Sequence, residues 1–383
     1  MDRKYSVAFA TGSRADYGIV RNYLKKLHAD EQIDFSVLVT GALLDEKFGN
    51  AVQLVEQDGF KIDYACRVSN RMERMSDTIH TMAEVLDSFG TFFQNHTYDL
   101  LIVLGDRYEI YALTIAAAMH RIPLLHLHGG EVTLANYDEF IRHSITKMSS
   151  YHITSTETYR KRVIQLGENP QNVFNLGALG AENCLQIDLQ NVPKDLVDFS
   201  DGFVVLFHPE TLNKVSPAQQ IDELLKAIDS FTGKYEFIFI GSNADTHSDT
   251  ITRRVYDYCQ QHASCRFYSN LHPDAYHYIV KRAIALIGNS SSGIIEVPSL
   301  GSYTINIGDR QTGRIKSSSI FDVRCSAEEI CQAINQVIAR KDEEITDTPY
   351  YQPFTAQKYY DVTKKILANL QLNQYKEFYD IVF

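Results

Sequence analysis

Residues 99–131 read DLLIVLGDRYEIYALTIAAAMHRIPLLHLHGGE. Two apolar runs, DLLIVLG and PLLHLHG, each stop at a glycine and give way to polar residues, and a helical pattern lies between them. Short apolar runs of this kind predict strands buried on both faces, the habit of a parallel sheet. Outward from this core the pattern repeats, with SVAFAT at 6–11, DFSVLVT at 34–40, YHITST at 151–156 and NVFNLG at 172–177. Each run precedes a turn and an amphipathic segment, so the expected fold is α/β, a parallel sheet wrapped by helices. The series pauses at NVPKDLVDFSDG (191–202) and restarts with FVVLFHP, YEFIFIGS, CRFYS, AIALIGN and YTINIG.

A chain of 383 residues is too long for one ordinary core and fits two α/β domains. The expectation is therefore two Rossmann-like lobes, 1–190 and 191–354, joined by a hinge near 185–200, with a helical tail over 355–383 that packs back on the first lobe. With 44% hydrophobic and 22% charged residues the composition is that of a folded globular protein. Lys+Arg total 37 against 48 Asp+Glu, a formal charge of -11 with no basic block, which disfavours nucleic acid and anionic membrane as partners. Local donors and helix N-termini still hold a diphosphate on an acidic protein, because distant charges are screened. The six cysteines stand without a C-x-x-C pair and read as reduced thiols. The apolar stretch at the N-terminus is too short for a signal peptide and nothing approaches a membrane span, so the expected location is the cytoplasm. Base rates favour a homo-oligomer, a dimer or tetramer.

In open parallel sheets ligands sit beyond the carboxyl ends of the strands, so the loops after the apolar runs are where chemistry is expected. GNSSSGIIE (288–296) follows a strand and opens a short helix, so Ser290 and Ser291 suit a diphosphate and Glu296 a ribose diol; the bland alternative is a serine N-cap. The segment lacks both the Walker A ending and G-x-G-x-x-G, which leaves ATP and nicotinamide chemistry without their signatures. Arg14 in GSRADYG (12–18) and Arg310 in IGDRQTGR are candidate phosphate forks, with surface solvation as the alternative. Asp106 ends a buried strand, where a carboxylate is costly unless the site uses it or Arg107 neutralises it. Alternation places His126 and His128 on one strand face, a pattern that also admits a metal, although no further ligand is legible and no metal is assigned. Asn136 and Glu139 have capping-box spacing, which puts Asp138 in a first helical turn with Arg142 one turn below; this is either an i, i+4 ion pair or a carboxylate aimed at a sugar. His208 follows FVVLF at the rim of the second lobe and suits a leaving-group or phosphate contact.

Together GSRADYG, VLGDRYE, HGGE, DEFIRHSITK, FHPET, GNSSSG and INIGDRQTGR resemble the hydrolysing UDP-N-acetylglucosamine 2-epimerases of bacterial sialic acid synthesis. The likeness spans nearly the whole chain. It implies a B-type glycosyltransferase architecture, two Rossmann-like lobes facing a cleft, with a UDP-sugar as partner and no cofactor. It further implies that Asp106 and Asp138 are catalytic, with Arg142 and His208 beside them, and that Arg14, Asn243, Ser290, Ser291, Glu296 and Arg310 contact UDP. Many relatives carry Glu, one of their acid/base groups, where this chain has His128 in His-Leu-His-Gly-Gly-Glu. The loop before Asp138 is also one residue longer, so either His128 takes that role or Glu131 reaches in from the next turn. The implied reaction converts UDP-N-acetylglucosamine and water to N-acetylmannosamine and UDP. Related reactions on UDP-N,N'-diacetylbacillosamine, or without hydrolysis, share these motifs.

Overall fold

The computed structural model describes residues 3–45, 51–69, 75–133, 137–209, 215–241, 248–370 and 376–382. By proximity of Cα atoms they divide into two compact units, one drawn from the described residues of 3–131, 137–179 and 352–382, the other from those of 132–133 and 180–351.

The first unit holds a seven-stranded sheet of β1 (Tyr5–Thr11), β2 (Ile33–Thr40), β3 (Lys61–Cys66), β4 (Leu100–Leu104), β5 (Leu124–Leu127), β6 (Tyr151–Thr154) and β7 (Val173–Asn175), in the order 3-2-1-4-5-6-7. Every pairing is parallel, as the apolar runs of the inner strands predict, and all five residues of β4 are buried. Helices cover both faces. One apolar layer gathers Phe9, Val20, Leu24, Leu100, Ile102 and Tyr359; the other gathers Phe89, Leu101, Val103, Leu113 and Ile145. The helix Thr355–Ala368 lies along Arg14–His28, where the Tyr23 and Tyr359 rings meet edge to face at 5.6 Å and Tyr23 Oη lies 2.6 Å from Thr363 Oγ1.

The second unit holds a six-stranded parallel sheet of β8 (Phe203–Leu206), β9 (Phe237–Ile240), β10 (Cys265–Tyr268), β11 (Ala285–Gly288), β12 (Tyr303–Ile307) and β13 (Ile320–Val323), in the order 10-9-8-11-12-13. In both sheets the order reverses beside the first strand, between β1 and β4 and between β8 and β11. Such a switch point leaves a crevice at the carboxyl ends of the strands. At the second of these Gly288 takes φ +151°, and a Cβ there would stand 1.9 Å from the Leu206 carbonyl oxygen, so the backbones of β8 and β11 meet closely as the chain turns into the serine loop.

Candidate active site

In the first unit the loops after β4 and β5 and the helix Asp138–Met148 bring four of the expected residues together. Arg142, 3% exposed, donates to the Asp106 carboxylate and, at 3.2 Å, to the His128 carbonyl oxygen. Its guanidinium also lies 3.7 Å from Glu131 Oε2. Glu131 is itself buried and accepts from Ser155 Oγ at 2.7 Å, while His128 Nδ1 lies 3.4 Å from Glu131 Oε1. A guanidinium shared by two carboxylates meets the cost of burying them, because each charge keeps both a partner and a hydrogen bond.

Two expectations are corrected here. Asp106 is neutralised by Arg142, not by its neighbour Arg107, whose Nε turns to the buried Glu109 carboxylate. Nor do His126 and His128 share a strand face, because β5 ends at Leu127 and His128 takes φ +63°. Alternation stops where the backbone leaves the extended region. His126 is fully buried, and since a carbonyl only accepts, its Nε2–H donates to Gly105 O at 2.8 Å and Nδ1 receives Thr146 Oγ1 at 3.0 Å. Burial holds this imidazole well below its ordinary pKa and therefore neutral, so it ties β4, β5 and the Asp138–Met148 helix together. Among the described residues no group of three or more His, Cys, Asp or Glu is placed to hold a metal ion.

Asp138 is the first residue of its helix, half-buried, with Tyr137 at the cap position making no side-chain cap bond. The Asn136 half of the expected capping box lies outside the described residues, as does Asn243. Arg14 stands exposed as the first residue of Arg14–His28, whose N-cap Ser13 accepts from Asp16 N at 3.1 Å. Asp16 is a residue that sequence reasoning misses. Burial pushes its carboxyl up to about 6, opposed by Arg107 and by Ser13 and helped by the charges of Glu109 and Asp106. Its Oδ2 is buried without a hydrogen-bond partner among the described residues. Glu109 is equally close-packed, since a Cβ on Gly12 would lie 2.6 Å from its Oε1. The signal for both is present in GSRADYG and GDRYE as acidic residues just past strand ends, but spacing alone does not join them.

In the second unit two of the candidates, His208 and Arg310, meet at Asn289, fully buried and also missed from sequence. His208 N donates to Asn289 Oδ1 at 2.7 Å, and Asn289 Nδ2 returns a bond to His208 O at 2.9 Å. Arg310 and Gln311 donate to the Asn289 carbonyl at 3.0 and 2.9 Å. One residue thus fixes three loops, those after β8, β11 and β12. His208 is 3% exposed rather than open at a rim, and burial, with Arg310 nearby, pulls its imidazole down to about 3. It is neutral near pH 7 and so offers one N–H and one lone pair. Ser291 caps the short helix Ser292–Ile295 without a side-chain bond, and Ser290 Oγ accepts from Ser292 N at 3.4 Å. Glu296 Oε2 lies 3.3 Å from His277 Nε2.

Comparison with known proteins agrees with this fold. Residues 25–364 match the family model described as UDP-N-acetylglucosamine 2-epimerase. The polysialic acid biosynthesis protein P7 of Escherichia coli is 47% identical, over 98% of this chain and 97% of its own length. The hydrolysing GDP/UDP-N,N'-diacetylbacillosamine 2-epimerase of Campylobacter jejuni is 34% identical, over 83% and 84%. The crystal structure of the Neisseria meningitidis UDP-GlcNAc 2-epimerase bound to UDP-GlcNAc superposes with a TM-score of 0.77 at 16% identity, over 94% of this chain and all of that one, a likeness of fold. The two Rossmann-like parallel sheets are those of the B-type glycosyltransferase architecture. On the length and identity of these matches, the chain belongs to the UDP-N-acetylglucosamine 2-epimerase family.

Proposed function

We propose that this chain hydrolyses UDP-N-acetylglucosamine with inversion at C2, giving N-acetylmannosamine and UDP. The observation that carries the reading is the cluster of half-buried Asp106 with buried Arg142, Glu131 and His128 at the strand ends of the first unit. In the proposed reaction a base takes the C2 proton and the C1–O bond to UDP breaks, leaving a C1=C2 double bond. Water then adds its hydroxyl to C1, and a proton returns to C2 on the opposite face. A C2 hydrogen beside an acetal carbon is only weakly acidic, so departure of UDP must be advanced as the proton leaves, and donors on the diphosphate carry much of the barrier. Arg14, Arg310, Ser290 and Ser291 are the proposed diphosphate donors, Glu296 and Asn243 the proposed nucleoside contacts.

Asp106 and His128 are the proposed acid/base groups, with Asp138 at the sugar and Arg142 holding Asp106. Glu131, already engaged by Ser155 and facing His128 Nδ1, orients that imidazole. His208, neutral in its buried site, serves as a hydrogen-bonding contact to the leaving group.

The E. coli relative's name places it in polysialic acid biosynthesis, which favours N-acetylglucosamine as the sugar and the hydrolytic outcome. The Campylobacter relative's name favours a second reading, the same chemistry on UDP-N,N'-diacetylbacillosamine. Incubation with each nucleotide sugar, followed by chromatography of products, separates them. Free N-acetylmannosamine and UDP in equal amounts are expected. Accumulation of UDP-N-acetylmannosamine, or turnover of the bacillosamine derivative alone, would reject the first reading.

A further inference from the structure

At the end of the Asp138–Met148 helix opposite Asp138 lies a second buried ionic cluster. Glu168, 3% exposed, meets three donors: Lys147 Nζ at 2.7 Å, Lys376 Nζ at 2.7 Å and His152 Nε2 at 2.9 Å. Lys376 comes from the far end of the chain, and its ammonium also donates to the carbonyl oxygens of Thr146, at 3.2 Å, and Ser149. These belong to the last turn and the C-cap of the helix, where carbonyls lack intrahelical partners and a cation is favoured. Residues 378 and 379 complete the contact. The Phe378 ring lies under Lys147 Nζ at 4.7 Å and against Gly167, where a Cβ would stand 2.3 Å from Phe378 Cε2, and Tyr379 N donates to Gly167 O at 2.9 Å.

We propose that Glu168 and residues 376–379 are positioning elements, pinning the last turn of the Asp138–Met148 helix so that Arg142 stays against Asp106. Thr146 links the two ends of this relation. Its carbonyl receives Lys376, its hydroxyl holds His126, and it follows Arg142 by four residues, on the same helix face. The helix therefore slides or rotates as one piece, and Arg142 moves with its end. A buried ionic cluster of this kind contributes little net stability, because desolvation offsets attraction, whereas the geometry it fixes matters at the reacting centre. A displacement of about 1 Å there costs about 10²-fold in rate.

The inference rests on the hydrolase reading for its kinetic consequence and on geometry alone for the anchor, so Lys376→Met, which keeps an unbranched apolar stem one atom shorter and removes the charge, is measured in two ways. Amide exchange over residues 141–148 should accelerate about tenfold while β4 stays protected, as local rather than global opening requires. Turnover of UDP-N-acetylglucosamine should fall about tenfold in kcat with KM within about twofold, and Lys376→Arg should restore most of it. If either the exchange or kcat of Lys376→Met remains at the wild-type value, the positioning role is overturned. A wild-type chain inert toward the nucleotide sugar would reject the functional reading instead, and the exchange comparison would then decide the anchor by itself, an unchanged profile overturning it.

Discussion

Asp106→Asn is expected to lower UDP release by about 10²- to 10⁴-fold, the usual contribution of a positioned acid/base group. Binding of UDP, measured by calorimetry, should stay within about twofold of wild type. The separation follows from what the substitution keeps. Asparagine has the same shape, its Oδ1 still accepts from Arg142, and Glu131 remains 3.7 Å away to balance the guanidinium, so the loop after β4 keeps its place. What is lost is a group able to take and return a proton. Wild-type turnover in this variant would remove Asp106 from the acid/base chemistry.

Arg142→Met should unfold the first unit more easily by about 3–5 kcal/mol, the cost of stripping the counterion from buried carboxylates. Glu131 is 2% exposed and the Asp106 side chain 19%, so neither recovers full hydration when the guanidinium goes. Adding Asp106→Asn to Arg142→Met should restore part of the loss, since the double variant no longer holds two carboxylates against each other without a cation. Urea unfolding of the three variants gives the coupling. A change below about 1 kcal/mol for Arg142→Met, the range of an exposed pair, would show that the cluster is better solvated than its burial indicates.

Most strands of each sheet are legible in the sequence, the edge strands β7 and β10 among them, whereas the edge strands β3 and β13 are not. β1, β4, β5, β8, β11 and β12 lie inside their sheets and announce themselves as short runs rich in apolar residues. β3 and β13 escape notice because an edge strand pairs on one side only and tolerates polar residues; Lys61 and Asp63 lie in one, Asp322 in the other. The same limit governs the site. Asp106, Glu131 and His128 stand out because charged and imidazole groups directly after buried strands are conspicuous. Arg142 reads as an i, i+4 partner of Asp138 because spacing along one helix is all that a sequence displays, whereas its carboxylate partner Asp106 lies 36 positions earlier in the chain. His128 reads as a strand residue because alternation carries no record of a left-handed one. Asn289 is inconspicuous beside three serines, although it pins the loops after β8 and β12.

The central claim is that the C2 proton is surrendered and replaced before the free sugar leaves. Turnover of UDP-N-acetylglucosamine in deuterated water, with proton NMR of the product, tests it most directly. The account predicts free N-acetylmannosamine with deuterium at C2 in essentially every molecule and UDP in equal amount. Free N-acetylglucosamine of unchanged configuration with its C2 protium intact would contradict it, because that product needs no removal of the C2 proton.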